Sequence, residues 1–181
     1  MFRTFIATIM LITMAPQADA CPETEALIEQ AAFEIVNKEG EDLALAILDR
    51  VDVPIVARFV LGRHARNETT EALASFEERF ERHLIYSLTD QADRFEGADI
   101  DVRGSIDRND RDSIVHTRVK IPGEETVSMR WRFIQRYGKW KVVDLEVVGL
   151  CLAIEQRAQI AVVLSDPRAS VEDLYKDFRG I

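Results

Sequence analysis

The stretch M-R-W-R-F-I-Q-R-Y-G-K-W-K-V-V-D-L-E-V-V-G-L-C, Met129 to Cys151, decides how the rest of the chain is read. Val127, Met129, Trp131 and Phe133 are apolar at every second position, and Ser128, Arg130 and Arg132 fall between them. Side chains on a strand alternate between its two faces, so this is a strand with one buried face. Tyr137-Gly138-Lys139 then turns the chain back, since glycine tolerates the positive φ of a tight hairpin. The return run, Trp140 to Val148, is rich in β-branched residues. Strict alternation puts Val143, Leu145 and Val147 on one face and Trp140, Val142, Asp144 and Glu146 on the other.

Period two begins before this hairpin. From about residue 97, Ile100, Val102 and Ile106 alternate with polar residues, and after a charged turn at Asp107 to Asp112 so do Val115, Thr117, Val119 and Ile121. Pro122-Gly123 makes the next turn, which gives four antiparallel strands in chain order. Upstream the period is helical. Leu27, Ile28, Ala31, Ala32, Ile35 and Val36 recur at helical spacing behind the acidic opening Pro22-Glu23-Thr24, with Gly40 as the stop. A short second helix turns Leu43, Ile47 and Leu48 inward. Asp52 before Val53-Pro54 reads as an N-cap with proline in the first turn of a helix that ends at Gly62. Thr69 or Thr70 caps a long helix whose stripe Leu73, Phe76, Phe80, Leu84 and Leu88 is expected to face the sheet. Beyond the sheet a helix runs from about Leu152 to Leu164, and Ser170 with Asp173 opens a last short helix carrying Leu174, Tyr175 and Phe178.

The 181 residues suffice for one domain of ordinary size behind a targeting segment. Residues 1–20 read as a cleaved signal peptide: Arg3 at the start, an apolar run from Phe5 to Met14 too short to span a bilayer, and the small-residue site Ala18-Asp19-Ala20. Residues 21–181 then form a single domain. Cleavage removes Arg3 and Asp19 together, so the formal charge of -9 is kept. Such a charge is repelled by phosphate backbones, which argues against nucleic acid as a partner, and by anionic headgroups. The two cysteines, Cys21 and Cys151, allow one disulfide in an oxidising compartment. The alternatives are two unpaired thiols or a lipidated Cys21, against which stands Ala18 in place of a leucine three residues before the cysteine.

Catalytic constellations are scarce. His64, His83 and His116 are scattered without metal-ligand spacing, and His116 shares a polar strand face with Arg118 and Lys120. No nucleophile elbow, P-loop or dinucleotide fingerprint is present in the sequence, and Cys151 has no evident base beside it. An enzyme reading would place Asp144 or Glu146 in an apolar cone with Tyr86 as hydrogen-bond donor. The structural reading has Asp144 fixing backbone N–H groups or an arginine at a turn, and Glu146 in water.

G-K-W-K-V-V-D-L-E-V-V-G-L, followed by a helix containing Arg157, resembles the end of the MlaC family, also called the toluene-tolerance family. The family pattern runs roughly G-x-W-K-V-x-D-V-x-V-x-G-x-S-L and then an arginine-bearing helix. Gly138, Trp140, Lys141, Val142, Asp144, Val147, Gly149, Leu152 and Arg157 fit it, and Cys151 stands where serine is usual. L-G-R-H-A-R-N-E-T-T-E-A is similar to the family's link between two helices through Leu61, Gly62, Arg63, Arg66, Thr70 and Glu71, with Ala65 where an aromatic is usual.

The resemblance implies an α+β fold: a strongly bent four-stranded antiparallel sheet packed by helices, with an apolar cavity between them. It implies a monomeric, soluble periplasmic phospholipid carrier with no cofactor and no catalysis. The carrier would serve outer-membrane lipid asymmetry by shuttling between an outer-membrane lipoprotein complex and an inner-membrane ABC transporter complex with an MCE-domain protein. A sibling in the family carries hopanoids, the alternative cargo. A two-chain lipid has roughly thirty methylenes, each costing about 0.8 kcal/mol to expose to water, so its carrier needs a deep apolar cavity. Val115, Val119, Val127, Met129, Trp131, Phe133, Val143, Leu145 and Val147 on the sheet, facing Phe59, Phe76, Phe80 and Leu84, are the expected wall, although alternation alone does not separate a hollow from a filled core. Arg63, Arg66 and Lys141 are the expected mouth, where a headgroup phosphate would be met.

Overall fold

Arg136 and Lys139 face each other across the end of the central hairpin, leaving only Tyr137 (φ 51°) and Gly138 (φ 74°) in the loop. This two-residue connection has the backbone twist that right-twisted strands require. The computed structural model describes residues 21–35 and 38–174. The expected signal peptide, Val36, Tyr175 and Phe178 lie outside the described residues, as does the side chain of Ile35. The strands are β1 (Asp99–Asn109), β2 (Asp112–Lys120), β3 (Val127–Arg136), β4 (Lys139–Val147) and β5 (Leu150–Cys151). They form one antiparallel sheet in the order β1-β2-β3-β4-β5, which adds a two-residue strand to the expected four.

The return strand does not alternate as its sequence suggests. Trp131 pairs with Leu145 and Arg132 with Asp144, but Phe133 pairs with Val142, so Val143 is an extra residue in a β-bulge. The bulge resets the pleat. Val142 and Trp140 join Phe133 on one face, and Val143 turns to the other, where it packs among helices. A second register shift lies between Val102 and Gly104 of β1, where Gly104 has φ 120°. Bulges of this kind bend a strand and sharpen its twist. The β4 edge is closed at the bulge by the 50–52 segment: Asp52 N donates to Val142 O at 2.8 Å, and Val142 N donates to Arg50 O at 2.8 Å.

The helices are α1 (Pro22–Ile35), α2 (Gly40–Leu48), α3 (Val53–Leu61), α4 (Thr70–Gln91) and α5 (Leu152–Val163). Gly40 opens α2 at φ 51° instead of closing the helix before it. Asp52 Oδ1 accepts from Ile55 N at 3.2 Å and Thr69 Oγ1 from Ala72 N at 3.1 Å, the expected caps of α3 and α4. Ser170 and Asp173 form the expected capping box on the 3-10 turn Val171–Asp173.

Apolar side chains gather in three clusters. One is helical, joining Leu61, Phe76, Phe80, Ile160 and Leu174 with Val143 of the sheet. A second lies under α1, where Ile28 meets Val115, Phe133 and Val142, and Thr24 Oγ1 bonds Ser113 Oγ at 3.2 Å. The third, Val119, Ile121 and Met129, sits at the far end of the same sheet face. The α4 stripe therefore packs mainly on other helices, with Val143 and Ile134 as its sheet partners, and not on the face that carries Met129 and Trp131.

Candidate functional site

Asp144 holds the junction between sheet and α5. Its Oδ1 accepts from Leu145 N at 2.9 Å and from Ala153 N, in the first turn of α5, at 3.2 Å. The helix cap that its own chain position lacks, because Cys151 supplies no side-chain bond, is thus provided from β4. Asp144 takes the structural reading. Asp144→Ala is expected to cost about 1–2 kcal/mol, the worth of a helix N-cap, while Asp144→Asn keeps the acceptor oxygen and most of the stability. Urea midpoints of the two variants measure this.

The two segments that carry the family pattern touch each other. Gly62, at φ 57°, ends α3, and a Cβ placed on it would lie 2.8 Å from Arg157 Nε. The Arg157 guanidinium also covers the Phe59 ring, 5.3 Å from its centroid. Leu61-Gly62 and the arginine of α5 are therefore one packing unit: glycine leaves the space that arginine fills. Gly62→Ala is expected to cost about 1–3 kcal/mol for the positive-φ backbone alone, and more from displacing Arg157. In a cycle with Arg157→Ala, the double variant should lose less than the sum of the single losses, as denaturation curves would show.

The expected wall residues do not share one surface. Phe76 and Phe80 are 2 % and 1 % exposed, with ring centroids 5.9 Å apart and planes 13° from parallel, inside the helical cluster. Val143 lies in that cluster too, turned there by the bulge. Phe59 is 41 % exposed, with the Arg157 guanidinium over its ring, and belongs to none of the three buried clusters. These three placements depart from expectation because tertiary packing and a bulge override simple periodicity. Val115 and Phe133 are packed under α1, and Val119 and Met129 are buried at the far end of the face. The rest are only partly buried: Val127, Trp131, Leu145 and Val147 on the sheet, and Leu84 on α4 beside Ile85 and Leu88. Trp131 Nε1 donates to Thr117 Oγ1 at 2.9 Å, which fixes the ring against β2.

The mouth residues are spread as well. Arg63 and Arg66 stand exposed at the 3-10 turn His64–Arg66 after α3, and no carboxylate is paired with either among the described residues. Lys141 instead donates to the Asp49 carbonyl. Lys141 lies at two surface hollows, of about 630 Å³ and about 470 Å³, neither lined by the expected wall residues.

On the opposite sheet face two arginines are paired with carboxylates. Arg132 makes two bonds to Asp112, of 3.1 and 2.9 Å, and Arg130 bonds Glu146, whose side chain is 16 % exposed and so is not the solvated group expected. The Arg130 hydrogen bond holds the Glu146 carboxyl below the ordinary carboxylate range. Burial raises the Cys151 thiol, with Asp144 and Glu146 acting in the same direction, the reverse of an activated nucleophile. His83 is buried on α4, and desolvation lowers its pKa. The two cysteines are unbonded. Cys21 N donates to Ser105 Oγ on β1, whereas Cys151 lies in β5, the strand at the other edge of the sheet. Among the described residues, no group of three or more His, Cys, Asp or Glu is placed to hold a metal, and no helix is long and apolar enough to cross a membrane.

These elements define a class: an α+β domain in which helices pack on an open antiparallel sheet and leave part of its apolar surface incompletely covered. The MlaC family, described as MlaC protein, matches residues 27–179, and the chain belongs to it. Among curated proteins nothing matches. A solved structure with the same fold is that of a phospholipid-binding protein from Ralstonia solanacearum in complex with a phospholipid. It superposes with a TM-score of 0.73 at 21 % identity, over 89 % of this chain and 95 % of that one.

Proposed function

We propose that this chain is a soluble periplasmic carrier that shelters the acyl chains of a phospholipid between α4 and the far end of the sheet. One observation carries the reading. Leu84, Ile85 and Leu88 pack on the helical cluster, Val127, Trp131, Leu145 and Val147 pack on the sheet cluster, and these two sets share no residue. Apolar side chains left half-covered on two separate surfaces of one domain are costly in water and valuable to a lipid. α4 begins among the helices and passes through the 3-10 turn Ala92–Phe95 to the start of β1, so it leads from the first surface to the second. Family membership and the lipid held by the Ralstonia protein support the same cargo.

The exposed Arg63 and Arg66 are the groups best placed to meet a phosphate, since Lys141 is already bonded. In this reading residues 1–20 direct export and are removed. The mature monomer then moves lipid between an outer-membrane lipoprotein complex and an inner-membrane ABC transporter with an MCE-domain protein, and catalyses nothing. Native mass spectrometry of protein isolated from periplasm, with lipid extraction of the same sample, tests the proposal. The expected result is a mass increment of one glycerophospholipid. An apo mass that stays unchanged after incubation with phospholipid vesicles would overturn it.

A further inference from the structure

We propose that the groove of about 630 Å³ between α2 and α4 is a docking site for a lysine- or arginine-rich amphipathic helix of a partner protein. Its apolar surface includes Leu45, Leu48, Val53 and Ala74, and Leu45 is 46 % exposed, a large aliphatic side chain left in water at the surface of the groove. Asp49, Glu77, Glu78 and Glu81 add four carboxylates to that lining. Glu77, Glu78 and Glu81 follow the spacing of one helix face, so α4 presents them together. Arg58 pairs with Glu77 at 3.3 Å and Arg82 with Glu78 at 3.6 Å, both through well-exposed arginines. Among the described residues, the Asp49 and Glu81 carboxylates meet no cation, and the one lysine in the lining, Lys141, is bonded to a backbone carbonyl.

Charge and shape select the occupant. The carboxylates repel a lipid phosphate and an anionic bilayer surface alike, so the groove is no extension of the lipid site. A concave apolar floor with acidic flanks fits a helix that lays down two or three aliphatic residues at spacings of three and four, with basic residues on either side. Complementary charge of this kind speeds encounter and fixes orientation, and it weakens with salt. A carrier that must find a partner and leave it again is well served by such a surface.

The test is an NMR titration of the lipid-loaded protein with a synthetic amphipathic Leu/Lys helical peptide and with the same peptide carrying Glu for Lys. The Lys peptide should shift amides confined to residues 45–54 and 74–81, bind at least ten-fold more weakly to Glu78→Lys/Glu81→Lys, and lose affinity as salt rises. The Glu peptide should not bind. The double variant Glu78→Gln/Glu81→Gln removes charge with little change of shape and should fall between. Lipid content should be the same in all variants, which separates this site from the cargo site. Absence of Lys-peptide binding, shifts elsewhere, or equal binding by the charge-reversed variant or by the Glu peptide would each overturn the proposal.

Discussion

Phe80→Ala should destabilise the protein by about 3–5 kcal/mol, the cost of truncating a fully buried aromatic where the surroundings relax only in part. Phe80 is 1 % exposed, stacked on Phe76, and part of the buried cluster to which α3, α5 and the 3-10 turn after α5 contribute. Interiors are close-packed, so the ring has no room to be replaced by neighbours without a cavity or a backbone shift. Urea denaturation monitored by tryptophan fluorescence reads the loss directly. A loss below about 1 kcal/mol, outside the range for a packed ring, would show that Phe80 borders empty space and would restore it to the cavity wall.

Leu145→Glu should do the reverse, leaving the fold intact and emptying the protein of lipid. Leu145 is half-buried beside Trp131 and Val147 at the edge of the sheet cluster. Without lipid, a carboxylate there faces water and costs little. With acyl chains packed against it, the same carboxylate is desolvated with no cation to pair, at several kcal/mol. Each 1.4 kcal/mol is a factor of ten in affinity, so binding should fall by roughly a hundred-fold or more. Val147→Glu should behave alike. Circular dichroism and the phospholipid content of purified protein are the two readouts, and normal lipid content in both variants would remove this surface from the site.

The order of elements was legible in the chain because each is announced locally. Asp52 and Thr69 cap helices through their own side chains, Tyr137-Gly138 closes a hairpin, and period two holds through β2 and β3. The wall of the site was legible only in part. Val142 and Val143 are chemically alike, so nothing in the pair marks which is the extra residue of a bulge, yet that choice sends one to α1 and the other to α3 and α5. The α4 stripe correctly announced burial, but periodicity names a buried face and not its partner, and here the partner is mostly helical. Arg157 could be read as part of a pattern, while its fit over Gly62 and Phe59 spans some hundred residues of chain and needed the fold. The placement of Cys21 beside β1 and of Cys151 in β5 is likewise a property of topology that a cysteine count does not hold.

The most direct measurement uses the chain's two tryptophans, one on each side of the question. Trp131 bridges the cluster under α1 and the far-end surface proposed to meet acyl chains, whereas Trp140 packs only under α1, where its Nε1 donates to Glu23 near the hairpin tip. The variants Trp140→Phe and Trp131→Phe, each with a single tryptophan, would be loaded with phospholipid brominated along its acyl chains, a quencher that acts only at short range. The account predicts strong quenching when Trp131 is the remaining fluorophore and little when Trp140 is. Quenching that is equal for the two, reversed or absent in fully loaded protein would contradict the placement of lipid between α4 and the far end of the sheet.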